Sequence, residues 1–417
     1  MLERYAARIK TSLSLIAVLV MALAGLSACA QDTVNSQAPI TIGTSLSFTG
    51  DFSDDGKAMA QGYQLWADTV NKNGGLLGRP VKLVILHDDS TEQKVADNYR
   101  TLIRQDHVNL VFGPFSSLLT IPASETVHQL RYAMIEGAGG GSHVFDRGLN
   151  NVFDVSLPVV NNLTTFAYYI LSLPQYKRPK TAAYATSNDP FTQGQVDLAR
   201  QLLEKGGITT VYKSPYYDAD KISGAAVTPY AKHVVASGAQ VAVLGTLLPD
   251  IATYIKVFRQ EHYNPEALIA TAGPDLGQDF IKAVGGAKYT EGVFVPNGWY
   301  PQADNFQNTQ MVQDYLAQYG GTVDQINADV AEAFSVGQVL EQAVNKIHSI
   351  DNAKLITELH SGDVYNTVQG SAQFDNQGRN ILALAYLFQW QGGQFMPVYP
   401  SSVAAENPKF PKAAWPS

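Results

Sequence analysis

The sequence predicts an α/β protein built from two similar units. Short apolar runs alternate with segments in which apolar residues recur every three or four positions, from residue 40 onward and again from residue 181. Glycine pairs end two of the helical segments, at residues 74–75 and 206–207. Strands that alternate with helices form a mainly parallel sheet covered on both faces. We therefore expect two such sheets.

The composition is typical of a large folded protein. The chain has 417 residues, of which 45% are hydrophobic and 16% are charged, enough for two or three domains with sizeable cores. The formal net charge is −8, and no basic stripe occurs along the chain. These features argue against nucleic-acid binding.

The first 28 residues are predicted to be a signal peptide. Basic residues are followed by an apolar run over residues 13–23, which is too short to span a membrane. The segment ends in the sequence LSAC, which resembles the lipobox of bacterial lipoproteins, with Cys29 as the lipidated residue. Cys29 is the only cysteine, so no intramolecular disulfide is possible. The alternative is an ordinary signal peptide with an incidental cysteine; residues 29–39 are interpreted as a tether.

The predicted elements follow one another in the order of a doubly wound fold. In the first unit we expect strands at residues 40–43, 81–86, 110–112 and 132–135, with helices around residues 58–70 and 95–103. In the second unit we expect strands at residues 181–185, 209–212, 240–244, 268–270 and 292–295, with helices between most of them. Two long helices near residues 305–319 and 328–348 and short strands at 370–374 and 381–389 follow. The tail after Met396 is rich in proline and is expected to be loose.

No enzyme, cofactor or metal motif is complete. The glycine-rich loop at residues 137–141 has Ser142 where a dinucleotide loop needs its third glycine, and it lacks the P-loop lysine. Residues 51–56 match half of a calcium loop, but Gly62 stands where the bidentate glutamate is required. Neither a nucleophile elbow nor metal-ligand spacing of the histidines is found. We therefore expect no catalytic residues, no cofactor and no metal.

The candidate ligand site is a set of loops that follow predicted strands. These loops are residues 113–117, 136–142, 189–191, 245–250 and 273–275. Ligands of open α/β sheets bind beyond the carboxyl ends of the strands, and two facing sheets would form a cleft there. Ser116 and Ser117 immediately precede a predicted helix, whose free N–H groups could hold an anionic group such as a carboxylate. The alternative for Ser117 is a simple N-cap of its own helix.

Several sequence runs resemble the branched-chain amino-acid binding family, the type I solute-binding proteins of ABC importers. These are GTSLSFTG at residues 43–50, VNKNGGLLGRPVKL at 70–83, GPFSS at 113–117, EKGG at 204–207 and FDNQG at 374–378. The similarity extends over about residues 40–390. It implies two Rossmann-like lobes joined by a three-stranded hinge, which close on a ligand.

The resemblance also implies domain boundaries. The crossovers would lie near residues 157–158, 295–296 and 369–370. The first lobe would then comprise residues 40–157 plus 297–369, and the second lobe residues 158–296 plus 370–395. Residues 396–417 would be a C-terminal tail.

The site residues implied by the resemblance hold an amino acid at both ends. Ser117 would hold the carboxylate, with Phe115 and Ser116 beside it; the backbone of Ala138 and Gly139 would assist, and Gly140 replaces a threonine that family members use. In the second lobe, Asp275 would hold the ammonium group and Phe191 would supply an aromatic contact. Two aromatic positions of the family are occupied by Asp55 and Leu247, and Glu136 is an additional nearby acid. The ligand class is therefore left as an amino acid, an amide or another small carboxylate.

The expected function is capture of such a ligand by a non-enzymatic protein that delivers it to an ABC permease. We expect a monomer on the extracytoplasmic side of the cell envelope, anchored to the membrane by lipid. One alternative is a ligand-sensing protein that acts with a separate signalling partner. Another is an amide-processing enzyme on the same fold, although the sequence lacks a nucleophile–base pair.

Overall fold

The computed structural model of the protein describes residues 38–218, 224–383 and 385–416. The strands are β1 Ile40–Leu46, β2 Val81–His87, β3 Leu110–Phe112, β4 Met134–Glu136, β5 Val152–Asp154, β6 Thr181–Thr186, β7 Thr209–Lys213, β8 Val241–Gly245, β9 Ala267–Ala270, β10 Val293–Asn297, β11 Tyr365–Thr367, β12 Gly370–Ala372, β13 Tyr386–Gln391 and β14 Gln394–Tyr399. The α-helices are α1 Ser53–Lys72, α2 Glu92–Arg104, α3 Ser117–Gln129, α4 Ser142–Phe145, α5 Thr164–Ser172, α6 Thr192–Lys205, α7 Thr228–Ser237, α8 Leu248–Gln260, α9 Gly277–Val284, α10 Asn308–Tyr319, α11 Ala328–Ile347 and α12 Asn352–Leu359. The predicted signal peptide and Cys29 lie outside the described residues.

Each lobe is organised around one sheet, and the two sheets share a strand order. The first lobe has the five-stranded parallel order β2-β1-β3-β4-β5. In the second lobe β7-β6-β8-β9-β10 repeats this order with parallel pairing, and β13 and β14 add an antiparallel edge. Both sheets therefore have a switch point beside their first strand, where ligands of such folds bind. The predicted α/β class with two parallel sheets is confirmed.

Close contact between α1 and α11 aligns the starts of two helices in the first lobe. A Cβ atom on Gly62 would lie 2.3 Å from the carbonyl oxygen of Val330, and one on Gly337 would lie 2.1 Å from the ring of Trp66. Glycine at these two positions lets the helices approach more closely than larger residues would allow. Trp66 is buried in the same core. Because both helices begin at the cleft, the packing also brings their first turns together there.

The third crossover lies further along the chain than the sequence predicts. Strand β12 pairs with β11, and Phe374 is buried in the core of the first lobe. The Asp154 N–H donates to the Gly378 carbonyl, and the Asn380 side chain donates to the Val155 carbonyl. Residues 370–380 therefore belong to the first lobe, and the expected boundary at residue 370 is wrong. The apolar pattern of so short a segment does not show whether β12 pairs with β11 in a hairpin or joins the second sheet.

The C-terminal segment is packed rather than loose. Residues 394–399 form β14, and the Lys412 N–H donates to the Glu266 carbonyl. Lys412 is 3% exposed, its ammonium group contacts Asn264, and burial lowers its pKa to about 7. The prolines suggested a mobile tail, but the backbone groups of this segment are paired with the second lobe.

Several elements were not predicted from the sequence, including β5, α5, α9, α12, β11 and β14. Most of these elements are short and contain too few residues to show a clear periodicity of apolar side chains.

Within the described part of the chain, no helix is both long enough and apolar enough to cross a membrane.

Candidate functional site

A cavity of about 550 Å³ lies between the two lobes. Its wall contains residues from the starts of α1, α3, α6, α8 and α11, and from the loops that follow β4, β9 and β10. The first two predicted crossovers contribute Leu157 and Pro296, and Gln369 between β11 and β12 also lines the cavity. The Ser156 hydroxyl donates to Gln369 Oε1 over 3.2 Å, which joins the first predicted crossover to the turn between β11 and β12 beside the cavity. The cleft expected at the strand ends is therefore present, and its volume is in the usual range for small-molecule sites.

The loop before α3 presents one serine to the cavity and buries the other. Ser116 lines the cavity and is the N-cap of α3, with φ of 77° and its hydroxyl accepting from the Leu119 N–H over 3.4 Å. Ser117 is the first helical residue and is fully buried. Its Oγ accepts from the Gly141 N–H over 3.0 Å. Ser117 thus joins two ligand loops, while Ser116 and Phe115 face the cavity.

The loop after β4 divides in the same way. Ala138 and Gly140 line the cavity. Gly139 lies behind them, where an added Cβ would be 2.2 Å from Thr120 Oγ1. The Glu136 carboxyl is fully buried behind the wall, with Oε2 accepting from the Gly139 N–H and Oε1 without a hydrogen-bond partner. Burial, followed by the neighbouring carboxyl of Asp154, raises the pKa of Glu136 well above its usual range.

The second lobe contributes a mainly apolar wall and two acids. Phe191 and Leu247 both line the cavity, and Leu247 also packs against the apolar cluster of the first lobe that contains Phe52. The two acids are Asp189 and Asp275; Asp275 Oδ1 accepts from the Gly273 N–H over 2.7 Å. Burial raises the pKa of Asp275 to about 6.

The starts of α1 and α11 bring together three carboxyl groups, of which the sequence predicted only Asp55 as a candidate. Asp55, Asp329 and Glu332 all line the cavity, and Asp329 has hydrogen-bond contacts with both others. Burial raises the pKa of Asp55 to about 7. Burial, followed by the nearby carboxyls of Asp154 and Asp275, raises the pKa of Glu332 to about 8. Burial and then Asp55 raise the pKa of Asp329 well above its usual range, as expected where carboxyl groups lie close together.

Asp154 is a further acid that the sequence did not identify. It ends β5, is fully buried and lines the cavity. Its Oδ1 accepts from the Ser156 N–H over 2.8 Å, whereas its Oδ2 has no hydrogen-bond partner. Burial raises the pKa of Asp154 to about 7.

Sequence signals for these residues exist but are weak. Asp329 and Glu332 are three positions apart, so they lie on one face at the start of a helix that is otherwise largely apolar. Asp154 is the last residue of a three-residue strand, which is too short to recognise from the sequence.

Within the described ranges, no group of three or more His, Cys, Asp and Glu residues is arranged to hold a metal ion.

The fold and the cleft define a two-lobed ligand-binding protein, and comparison with known proteins identifies its family. The chain belongs to the periplasmic binding protein family, whose sequence profile matches residues 39–394. It is 24% identical over 398 residues to Leu/Ile/Val-binding protein homolog 7 of Brucella melitensis, covering 90% of this chain and 95% of the relative. It is 26% identical over 379 residues to an amino acid binding protein of Pseudomonas aeruginosa, with coverage of 90% and 95%.

Solved structures have the same fold. A leucine-binding protein from Thermotoga maritima superposes with a TM-score of 0.73 at 18% identity, covering 86% of this chain and 97% of that one. The predicted resemblance to branched-chain amino-acid binding proteins of ABC transporters is thereby confirmed, as is the predicted type I fold. The relatives are binding proteins rather than enzymes.

Proposed function

We propose that this protein is the lipid-anchored binding component of an ABC importer, and that it captures an amino acid or related small ligand. The main support is the cavity between the lobes, which is enclosed by the strand-end loops of both sheets. Closure of two lobes around a ligand is a common conformational change in binding proteins. Phe115, Ser116, Ala138, Gly140, Phe191, Leu247, Asp55 and Asp275 would contact the ligand directly. Ser117, Gly139 and Glu136 would support those loops from behind.

Ligand capture is tested by calorimetry on the mature protein with leucine, acetamide and a panel of other small amines and acids. We expect one compound to bind at one site per chain and to reduce the radius of gyration measured by small-angle scattering. An unchanged scattering curve at saturation with the bound compound would contradict closure.

Delivery and anchoring need a separate test. Replacing Cys29 with Ala is expected to move the protein from the membrane fraction into the soluble or uncleaved fraction, because lipid chains are needed for stable anchoring. The matched control is Ser36→Ala in the predicted tether, which is expected to fractionate like the wild type. Wild-type protein recovered free in solution would contradict the anchor.

A further inference from the structure

The charged residues that line the cavity are all acidic among the described residues. Its wall contains eight acidic residues, Asp51, Asp54, Asp55, Asp154, Asp189, Asp275, Asp329 and Glu332, whereas no Lys, Arg or His of the described residues lines it. Asp54 is paired outside the cavity with Lys57, at 3.1 Å. Burial raises the pKa values of five of these acids, Asp55, Asp154, Asp275, Asp329 and Glu332. A single ammonium group of a neutral amino acid would pair with only one or two of these five, and like charges repel strongly in a partly desolvated space.

One of these acids has an unmet hydrogen-bonding capacity inside the cavity wall. Asp154 is fully buried, and its Oδ2 has no partner. A buried acceptor without a donor is costly, so this oxygen favours a ligand that brings an N–H group. Oδ2 also occupies the space beside Gly140, since a Cβ on Gly140 would lie 2.3 Å from it. The Asp154 carboxylate therefore occupies the space that the side chain of a larger residue at position 140 would need.

A second acidic pole is formed by Asp55, Asp329 and Glu332. These side chains belong to α1 and α11, whereas Asp154 belongs to the sheet, so the two groups approach the cavity from different elements. The two poles are close enough for Asp154 to influence Glu332. The same wall also contains apolar side chains, among them Phe115, Phe191 and Leu247.

We propose that the ligand is a small organic cation with two positively charged nitrogen groups joined by an aliphatic spacer. One nitrogen group would donate to Asp154, and the other would pair with the triad of Asp55, Asp329 and Glu332. The spacer would pack against the apolar wall. This inference rests on the proposed binding function, and it goes beyond the single ammonium contact at Asp275 that the family resemblance implies. Both diamines and diamino acids have this chemistry.

The test is calorimetry on the mature wild-type protein with 1,4-diaminobutane, L-lysine, L-leucine and calcium chloride at pH 7.5. We expect either 1,4-diaminobutane or lysine to bind at least tenfold more tightly than leucine. Tighter binding of the diamine would identify a ligand without a carboxylate, and tighter binding of lysine would identify a diamino acid. Leucine binding more tightly than both would overturn the inference while leaving the proposed function intact. Saturable binding of calcium with no binding of either dication would also overturn it.

Variants locate the two poles. Asp154→Asn and Glu332→Gln keep the side-chain shape but remove the negative charge, and each is expected to weaken dication binding about 10- to 100-fold, as hydrogen bonds to charged groups typically do. The matched control is Glu261→Gln, an exposed residue of the second lobe outside the cavity. Thermal unfolding of each variant establishes that it is folded before titration. Wild-type affinity in both folded variants would overturn the inference.

Discussion

The two walls of the cavity differ in what they offer a ligand. The first lobe presents Asp55, Asp154, Asp329 and Glu332 from a strand end and two packed helix starts. The second lobe presents mainly apolar groups, including Phe191 and Leu247, although it also contributes Asp189 and Asp275. Charge recognition is thus concentrated on the first lobe, and the second lobe acts chiefly as an apolar cover. The comparison teaches that preorganised charge depends on the packing of the elements that carry the acids, here α1 and α11, whereas a cover depends on shape and hydrophobic surface.

The largest effect is expected from disturbing the helix pair that carries the acids. Gly337→Ala places a Cβ 2.1 Å from the Trp66 ring, and it is expected to lower the free energy of unfolding by about 3 kcal/mol, as overpacking does. The matched control is Gly194→Ala in α6 of the second lobe, whose added Cβ would meet no atom closer than 3.6 Å. This control should be neutral, or more stable by about 0.5–1 kcal/mol, because alanine favours a helix. Denaturant unfolding measures both changes, and equal destabilisation would contradict the close contact of α1 and α11 as the cause.

The apolar cover of the second lobe should have a smaller effect, confined to binding. Phe191→Ala is expected to weaken the tightest ligand of the panel by about 2 kcal/mol, because it removes apolar contact with little change in charge. Phe306→Ala, at a residue that is 48% exposed and outside the cavity, is the control. Calorimetry measures both. If Phe191→Ala left the affinity unchanged, the second lobe would not close over the ligand as proposed.

The acids should also make the ligand-free protein less stable as the pH rises from 5 to 7. Folding raises the pKa values of Asp55, Asp154, Asp275 and Glu332 to about 6–8, so the folded state holds more protons than the unfolded state in this range. Asp329 and Glu136 act in the same direction, and Arg379 partly opposes the effect at Asp154. The free energy of unfolding therefore falls with rising pH. The lowered pKa of Lys412 acts in the opposite sense, but only above about pH 7.

Thermal scans check this dependence. We expect the unfolding midpoint to fall by roughly 1–3 °C between pH 5 and 7, equivalent to about 1–2 kcal/mol for a protein of this size. Glu332→Gln should reduce that slope, whereas Glu261→Gln should leave it parallel to that of the wild type. A midpoint that rises over this range would contradict the raised pKa values.

The smallest effect is expected at Ser117. Replacing it with Ala leaves the Gly141 N–H without its partner, so we expect a loss of about 1 kcal/mol in the free energy of unfolding. Ligand affinity should change less than in Phe191→Ala, because the hydroxyl is fully buried behind the cavity wall. The control is Ser124→Ala in the same helix, which is expected to leave ligand affinity unchanged because Ser124 lies outside the cavity wall; its hydroxyl donates to the Ile121 carbonyl over 2.9 Å and accepts from the Arg147 guanidinium. If Ser117→Ala reduced affinity more than stability, the hydroxyl would be a direct ligand contact.

Much of the fold could be predicted because it depends on local patterns. Helices such as α1 and α6 are long enough to show their period, and the glycines that follow them mark their ends. The location of the cleft follows from the rule that parallel strands place their carboxyl ends on one edge. The strand β12 is predicted, but the pattern does not specify its pairing with β11. The short strand β5 could not be identified with the same rules, and the sequence interpretation therefore missed Asp154.

The sequence by itself determined the α/β class, the family resemblance and the loops that form the cleft, because each depends on residues that are near one another in the chain. Only the tertiary structure decided which side chains face the ligand. Asp55 and Asp329 meet because Gly62 and Gly337 let α1 and α11 approach closely. Ser116 and Ser117 are neighbours in sequence, yet only Ser116 lines the cavity, since the start of α3 turns Ser117 toward Gly141. Such distant contacts depend on the packing of whole elements, which no local pattern encodes.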